Sequence, residues 1–415
     1  MELKRVVITG LGAITPIGNT VPEYWDSLCK GVGGAGMITR FDASKFRSRI
    51  ACEVKNFNAE NYFDRKEARK LDLYEQYALV AADEAIKDSG ISRDNTDFVE
   101  VGVIFASGIG GIESLYLENV DYARGDGTPR VNPFTIPKLL PDLAAGHISI
   151  KYGFQGPNYC TVSACASSAH SIVDGFNYIH YGKNEVMIVG GAEAPICPIS
   201  VAGFEAMRAL STRNDDPTTA SRPFDADREG FVMGEGGGCL VLEELEHALR
   251  RGAKIYGEVV GCGVSADANH ITAPHPEGFG AVLSINRALK DAGISGDKID
   301  HINTHGTSTP TGDVAEIRGI TAALGEHIYN ISFNSGKSMT GHLLGGAGAI
   351  EAISTVLACK NDIVPPTINH FTDDPNIDPK IDFTFWKAKQ RTVNYAISNA
   401  FGFGGHNVSI IFKKY

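Results

Sequence analysis

Five side chains in this sequence have types and settings that bear on chemistry: Cys165, His305, Lys337, His342 and Glu351. Cys165 lies in NYCTVSACASSAH, Asn158 to His170. Cys160–Val162 reads as a short buried strand, small residues follow, and Ser171–Tyr181 is an amphipathic helical run. A cysteine at such a strand-to-helix turn faces the free N–H groups of the first helical turn. The positive end of the helix dipole favours a thiolate there, a setting that lowers a cysteine pKa. Cys165 is therefore a candidate nucleophile, against the commoner fate of an inert buried thiol.

His305 stands in HGTSTPTGD, after the strand pattern Ile299–Asn303, and His342 in GKSMTGHLLGGAGAIEAI, after Ile331–Asn334. A lone histidine is more often a structural hydrogen-bonder than a catalyst. Two at corresponding corners, beside a cysteine at a helix start, point to a shared cavity. A cysteine hydrolase would use one histidine as base for the thiol. An acyl-transfer enzyme that decarboxylates a malonyl thioester would instead need N–H donors converging on a developing enolate oxygen. Thr307 and Thr309 suit a polar linear ligand, or else satisfy a turn. Glu351, inside the apolar run AIEAISTVLA, needs a partner, and Lys337 is the candidate. A Gly-rich aromatic loop, NAFGFGGHN, spans Asn399–Asn407.

The elements that must position these groups read as alternating strands and helices. Arg5–Thr9 is an apolar strand ending in a Gly-rich turn whose glycines do not fit a dinucleotide fingerprint. Tyr24–Lys30, Phe63–Lys70, Glu75–Ser89 and part of Phe134–Tyr152 read as helices, and Val101–Ala106 and Val186–Val189 as buried strands. SGIGG follows Val101–Ala106, at the strand end where open α/β folds put their sites. Ser211–Gly238 has no periodicity and reads as a functional loop or crossing segment. Cys239–Leu242, Glu244–Arg251 and Lys254–Val260 form a strand–helix–strand unit, with a boundary near Gly252. The second half then repeats the grammar: a strand into a polar loop, the helix Ala281–Ala292, and His342 roughly where Cys165 stood. The expectation is a duplicated α/β fold, residues 1–252 carrying the cysteine and 253–415 both histidines, with the site between the halves.

Composition narrows the partners. A net charge of −11 argues against a general nucleic-acid binder. Within it, Arg65, Lys66, Arg69 and Lys70 crowd one short helix face, either solvated or fitted to an acidic partner. Eight scattered cysteines form no CxxC or zinc spacing, so no metal is expected and the thiols read as reduced in a cytoplasmic protein. The start, MELKRVVITGLGAITPIG, lacks a signal peptide's apolar core, and no apolar run is long enough for a membrane span.

SACASSAH, NTHGTSTPTGD, KSMTGHLLGGAGAIEA and NAFGFGGHN, in this order, resemble the β-ketoacyl-[acyl-carrier-protein] synthases, closest to the elongating type II enzymes of bacterial fatty acid synthesis. The resemblance runs from Arg5 to Lys414. It implies a thiolase-like fold, a duplicated five-layered α-β-α-β-α core, as a homodimer. It implies that Cys165 takes the acyl chain, that His305 and His342 promote malonyl decarboxylation, and that the N–H groups of Cys165 and Phe403 form an oxyanion hole. Phe403 would also gate malonyl entry. Lys337 and Glu351 would be a supporting ion pair and Asp313 a further member of the polar network. Thr307 and Thr309 would hold the phosphopantetheine arm, with Phe401 also on the substrate side. Ile109 and Phe204 would border the acyl pocket. Lys66, Arg69, Lys70, Arg130 and Arg208 would dock the acidic acyl carrier protein. No cofactor is implied beyond the phosphopantetheine that the carrier protein brings.

Two departures from the family pattern stand out. His406 replaces a threonine in GGHN, and FNSGKSMTGH replaces the more usual SSTKSMTGH. The second cysteine of the thiolases is lacking, since the last cysteine is Cys359, and His342 argues against the Cys-His-Asn synthases that start chains from coenzyme A. A type I, polyketide or aryl-polyene ketosynthase of the same fold remains an alternative. A non-catalytic chain-length partner is disfavoured by the presence of Cys165.

Overall fold

The computed structural model describes residues 3–415, so Met1 and Glu2 of the sequence start discussed above lie outside the described residues. Ten strands form one sheet: β1 (Val6–Ile14), β2 (Val101–Ala106), β3 (Asn158–Tyr159), β4 (Val186–Glu193), β5 (Gly236–Glu244), β6 (Gly257–Ala266), β7 (His301–Asn303), β8 (Ser332–Asn334), β9 (Tyr395–Gly402) and β10 (His406–Lys413). Their order is β8-β7-β9-β10-β6-β1-β5-β4-β2-β3. Read outward from the β1–β6 seam, each half has its first, fifth, fourth, second and third strand in turn. The pairing types also match. β5 is antiparallel to β1 and β4, and β10 to β6 and β9, while β4–β2–β3 and β9–β7–β8 are parallel. The halves join through three antiparallel partners, Val6–Ile8 against Val259–Gly257. The duplication expected from pattern is thus a strand-by-strand repeat.

Alternation along the strands builds the layers. Val101, Val103 and Phe105 of β2 pack outward with α1 (Leu73–Ser89) and α2 (Leu143–Tyr152). Ile104 between them packs inward with α3 (Ser167–His180). On the other half Ile397 and Ile411 face α4 (Phe279–Ala292) and α5 (Pro310–Leu324), whereas Ala396 and Ile410 face α6 (Ala347–Asn361). Helices α3 and α6 share one core between the half-sheets, which gives five layers, α-β-α-β-α. Each is buried accordingly: every residue of α6 from Ala347 to Cys359 is enclosed.

Several elements differ from the sequence expectation. β1 runs straight through the supposed Gly-rich turn to Ile14. The strand before the nucleophile is Asn158–Tyr159, not Cys160–Val162; the chain has already left the sheet edge, and Val162 is 59% exposed. The basic helix is a single turn, Arg65–Ala68, capped by Asp64. The polar Ser211–Gly238 stretch is largely buried and its end belongs to β5. Its charges are internally matched: Arg228 contacts Asp374 at 2.6 Å and Asp313 at 3.4 Å. The aromatic loop near the end is a β-hairpin, β9–β10, with Phe403–Gly405 at its tip.

Candidate active site

The nucleophile turn and its counterpart are built alike. Ala164–Ala166 is a 3₁₀ turn leading into α3, and Leu344–Gly346 one leading into α6. Ala164 (φ 51°) and Leu344 (φ 46°) both take left-handed backbone that a side chain disfavours. Cys165 therefore corresponds to Gly345, and His342 lies three residues before that position. The expected equivalence of His342 with Cys165 is corrected by this offset.

The two turns touch. Glu193, at the end of β4, accepts from Gly108 N (2.7 Å), Ile109 N (3.0 Å), Ser107 Oγ (2.8 Å) and Gly345 N (2.9 Å). One buried carboxylate thus fixes the SGIGG loop to the turn of the other half. Glu316 does similar work in the second half, accepting from His305 N at 2.7 Å and Gly306 N at 2.8 Å. Burial pushes its pKa up to about 7. Neither glutamate was singled out in the sequence. The isolated carboxylate in the strand end VGGAEA was the available sign for Glu193; nothing local marked Glu316.

Cys165, His305 and His342 line one cavity of about 310 Å³, with Thr307, Thr309, Phe204, Phe401, Phe403 and Arg208 on its walls. The two imidazoles are 5.4 Å apart, centroid to centroid, and nearly perpendicular. Phe231 packs at right angles on His342 and Phe401 lies 5.7 Å from His305. Nδ1 of each histidine is buried without a hydrogen-bond partner among the described residues, so Nε2 is the nitrogen left to the cavity. Burial first, and then the Lys337 charge, hold both rings well below the usual imidazole pKa, which keeps them neutral.

Lys337 and Glu351 form a salt bridge in full burial, as the apolar setting of Glu351 required. The Lys337 charge also bears on Cys165. Burial pushes this thiol up to about 12; Lys337 opposes the rise, Glu193 adds to it, and the N–H groups of Phe403 and of Cys165 itself lower it. The depressed pKa expected from a helix start is therefore corrected: burial raises it instead.

Phe403 reaches the cysteine because β9 runs hard against the nucleophile turn. A Cβ on Gly402 would stand 2.6 Å from Ser163 O and 3.2 Å from Cys165 N. Thr307 and Thr309 share a 3.0 Å hydrogen bond. Ile109 does not line the cavity; it packs, with Phe204, against an apolar cluster containing Cys165, Val201, Met233 and Leu344. Asp313 stands behind the wall, accepting from Phe224 N at 2.9 Å and paired with Arg228. Lys66, Arg69, Lys70 and Arg130 are exposed on other segments; Arg208 is exposed at the cavity. Among the described residues no group of His, Cys, Asp and Glu could hold a metal ion.

Known proteins place this arrangement. The family model "Beta-ketoacyl synthase, N-terminal domain" matches residues 3–248 and "Beta-ketoacyl synthase, C-terminal domain" residues 256–371. A 3-oxoacyl-[acyl-carrier-protein] synthase 2 from Synechocystis sp. is 52% identical over 415 residues, 100% of this chain and 99% of that one. One from Staphylococcus aureus is 48% identical over 412 residues, 99% of each. Among solved structures, a beta-ketoacyl synthase from Burkholderia phymatum superposes with TM-score 0.92 at 34% identity, covering 99% of this chain and 100% of that one. A type II PKS ketosynthase in complex with its acyl-carrier protein gives 0.91 at 32%, with full coverage of both chains. The chain belongs to the β-ketoacyl synthase family and has its thiolase-like fold. Within it, the chain is a condensing enzyme of the acyltransferase class.

Proposed function

We propose that Cys165 carries the acyl group in a decarboxylative condensation that elongates fatty acyl chains, with His305 and His342 acting on the malonyl partner. The observation that carries this reading is the convergence of one cysteine and two neutral histidines on a single cavity. The Cys165 sulfur attacks the thioester carbonyl of an acyl-acyl carrier protein. The N–H groups of Cys165 and Phe403 receive the oxyanion. The carrier's pantetheine thiol leaves with the proton that Cys165 gives up. Malonyl-carrier protein then enters past Phe403. His305 and His342 donate from Nε2 to its thioester oxygen, the C–C bond to the carboxylate breaks, and carbon dioxide departs. The resulting enolate carbon attacks the acyl-cysteine, Cys165 leaves as thiolate, and the product is a 3-oxoacyl chain two carbons longer. Neutral rings suit this task, since each has one N–H to give and no charge to be desolvated. The enzyme needs no cofactor of its own, because the pantetheine arrives on the carrier protein.

Lys337, neutralised by Glu351, sets the field around the cysteine and both histidines. Thr307 and Thr309 hold the pantetheine arm, and Phe401 flanks it. Ile109 and Phe204 border the acyl chain, and Ile109→Phe would shorten the longest chain accepted. Asp313 acts only by fixing the loop that carries Thr309. Lys66, Arg69, Lys70, Arg130 and Arg208 dock the carrier protein; charge reversal at Lys66, Arg69 and Lys70 that left the salt dependence of binding unchanged would remove them from that role. The halves divide near Gly252, and the working unit is a cytoplasmic homodimer, testable by sedimentation. No helix among the described residues is long and apolar enough to cross a membrane.

The polyketide reading has less support: that ketosynthase shares 32% identity, against 52% for a relative named 3-oxoacyl-[acyl-carrier-protein] synthase 2. The test is product analysis with acyl- and malonyl-carrier protein. One 3-oxoacyl chain and one carbon dioxide per turnover supports condensation; free acid from the acyl donor supports the hydrolase.

A further inference from the structure

Glu193 ends β4 in full burial, and the four donors on its carboxylate divide unequally between the two oxygens. Oε2 accepts from Gly108 N at 2.7 Å and from Gly345 N at 2.9 Å, one partner from each half of the chain. Oε1 accepts from Ile109 N at 3.0 Å and from Ser107 Oγ at 2.8 Å, both on the SGIGG loop. Loop and turn are also in direct contact. A Cβ on Gly345 would stand 2.2 Å from Gly108 N, and one on Gly108 would stand 3.4 Å from Ala164 O. Gly345 N is the counterpart of Cys165 N. The reaction above leaves the first-half N–H to a substrate oxygen, whereas Glu193 takes the second-half one.

We propose that Glu193 is a positioning residue for acyl-chain selection: it fixes the backbone of Ile109 through Oε1 and locks that loop to the Leu344–Gly345 turn through Oε2, so that the wall beside Cys165 yields only by side-chain rotation. The proposal rests on the role given above to Ile109 and Phe204. Ile109, Leu344 and Cys165 meet in one apolar cluster. An acyl chain too long for that space must push Ile109 aside. A loop held at three successive residues, Ser107, Gly108 and Ile109, does not retreat with it. The length limit is then sharp rather than graded.

Glu193→Gln separates the two oxygens, because it replaces one acceptor oxygen with an NH2 donor. Gly108 N and Gly345 N are fixed donors, so the amide oxygen must face them. The NH2 then faces Ser107 Oγ and Ile109 N. Ser107 Oγ already accepts from Gly110 N at 3.0 Å and has a second lone pair to offer. Ile109 N can only donate, so it alone is left without a partner.

The experiment measures the rate constant of acyl-enzyme formation, by intact mass, over saturated acyl-carrier proteins of rising chain length, in wild type, Glu193→Gln and Ile109→Phe. In wild type each two-carbon step beyond the limit should cost about tenfold or more. In Glu193→Gln that step should shrink to about twofold, whatever the rate on short chains. A step as steep as in wild type overturns the proposal, because Ile109 is then no looser. A loss equal at every chain length overturns it too, because Glu193 is then merely structural. Ile109→Phe distinguishes this failure from that of the reading beneath it. A limit moved to shorter chains upholds Ile109 as part of the wall; an unchanged limit removes Ile109 from the pocket and the proposal with it. Should Glu193→Gln fail to fold, amide hydrogen exchange decides on the wild-type protein, free and as the long-chain acyl adduct. Gly108, Ile109 and Gly345 should be equally protected in both. Faster exchange at Ile109 in the adduct would show the main chain retreating and overturns the proposal.

Discussion

The imidazoles of His305 and His342 meet edge to face, 5.4 Å between centroids and 86° between planes. Nδ1 of each ring is enclosed without a hydrogen-bond partner among the described residues, which leaves the Nε2 atoms as the pair for a substrate oxygen. Removing one donor from such a pair typically costs ~10²–10³ in rate. His342→Ala should therefore lower carbon dioxide release from malonyl-carrier protein by about that factor, while the acyl adduct on Cys165 still forms. Parallel loss of both half-reactions would show that the histidines do not divide the work in this way.

Lys337 and Glu351 are each almost wholly enclosed. Removing one member of a buried pair leaves an uncompensated charge, at about 3–5 kcal/mol. Lys337→Ala should show that loss in denaturant unfolding. Lys337→Met combined with Glu351→Leu should recover most of the stability and none of the condensation activity. Recovery of activity with stability would mean that the pair serves only the fold.

Gly402 is where β9 meets the nucleophile turn. Gly402→Ala puts a Cβ 2.6 Å from Ser163 O. The hairpin must then back away, and the Phe403 N–H with it. Condensation should fall by ~10²-fold or more, with a far smaller change in the unfolding midpoint. A full-rate alanine variant would exclude Phe403 from the oxyanion hole.

Buried carboxyl groups set a pH dependence of stability, Glu316 at the cavity wall among them. Burial pushes Glu75 up to about 8 and Glu84 and Glu316 up to about 7. Between the ordinary carboxylate range and these values the folded chain holds protons that the unfolded chain has released. The stability these carboxyl groups contribute therefore falls as pH rises through that window. Buried neutral histidines such as His305 and His342 act in the opposite sense near pH 6 to 7, so the reading is the difference between wild type and Glu84→Gln: between pH 6 and pH 8 the wild-type urea midpoint should fall relative to that of the variant. A wild-type midpoint that does not fall relative to the variant's over this interval would contradict the assignment.

The chemistry was more legible than the carpentry. Cys165 stands among small residues, and His305 and His342 follow strand ends and are flanked by Gly and Thr, local signatures that sequence carries well. The duplication was also legible as a repeated pattern, because β2 and β7 each run into a Gly-containing loop and α3 and α6 each follow a strand and a turn of small residues, but the order of strands in the sheet was not. What stayed hidden depends on contacts distant in the chain. Glu193 binds Gly345 across 152 positions, and Glu316 shows its purpose only when α5 packs under His305. The NAFGFGGHN stretch reads as a loop because its glycines mask two strands that pair only in the folded sheet. The thiol pKa failed for a related reason: a helix start is legible locally, whereas the burial that raises this pKa comes from neighbours distant in the chain, such as Met233 and Leu344.

The most direct test of the central claim is the intact mass of the protein after incubation with a long-chain acyl-carrier protein, then again after malonyl-carrier protein is added. The account predicts one acyl adduct, mapped to Cys165, stable in water and discharged by malonyl-carrier protein with release of a 3-oxoacyl product. An adduct on another residue, no adduct, or one lost to water alone would contradict it.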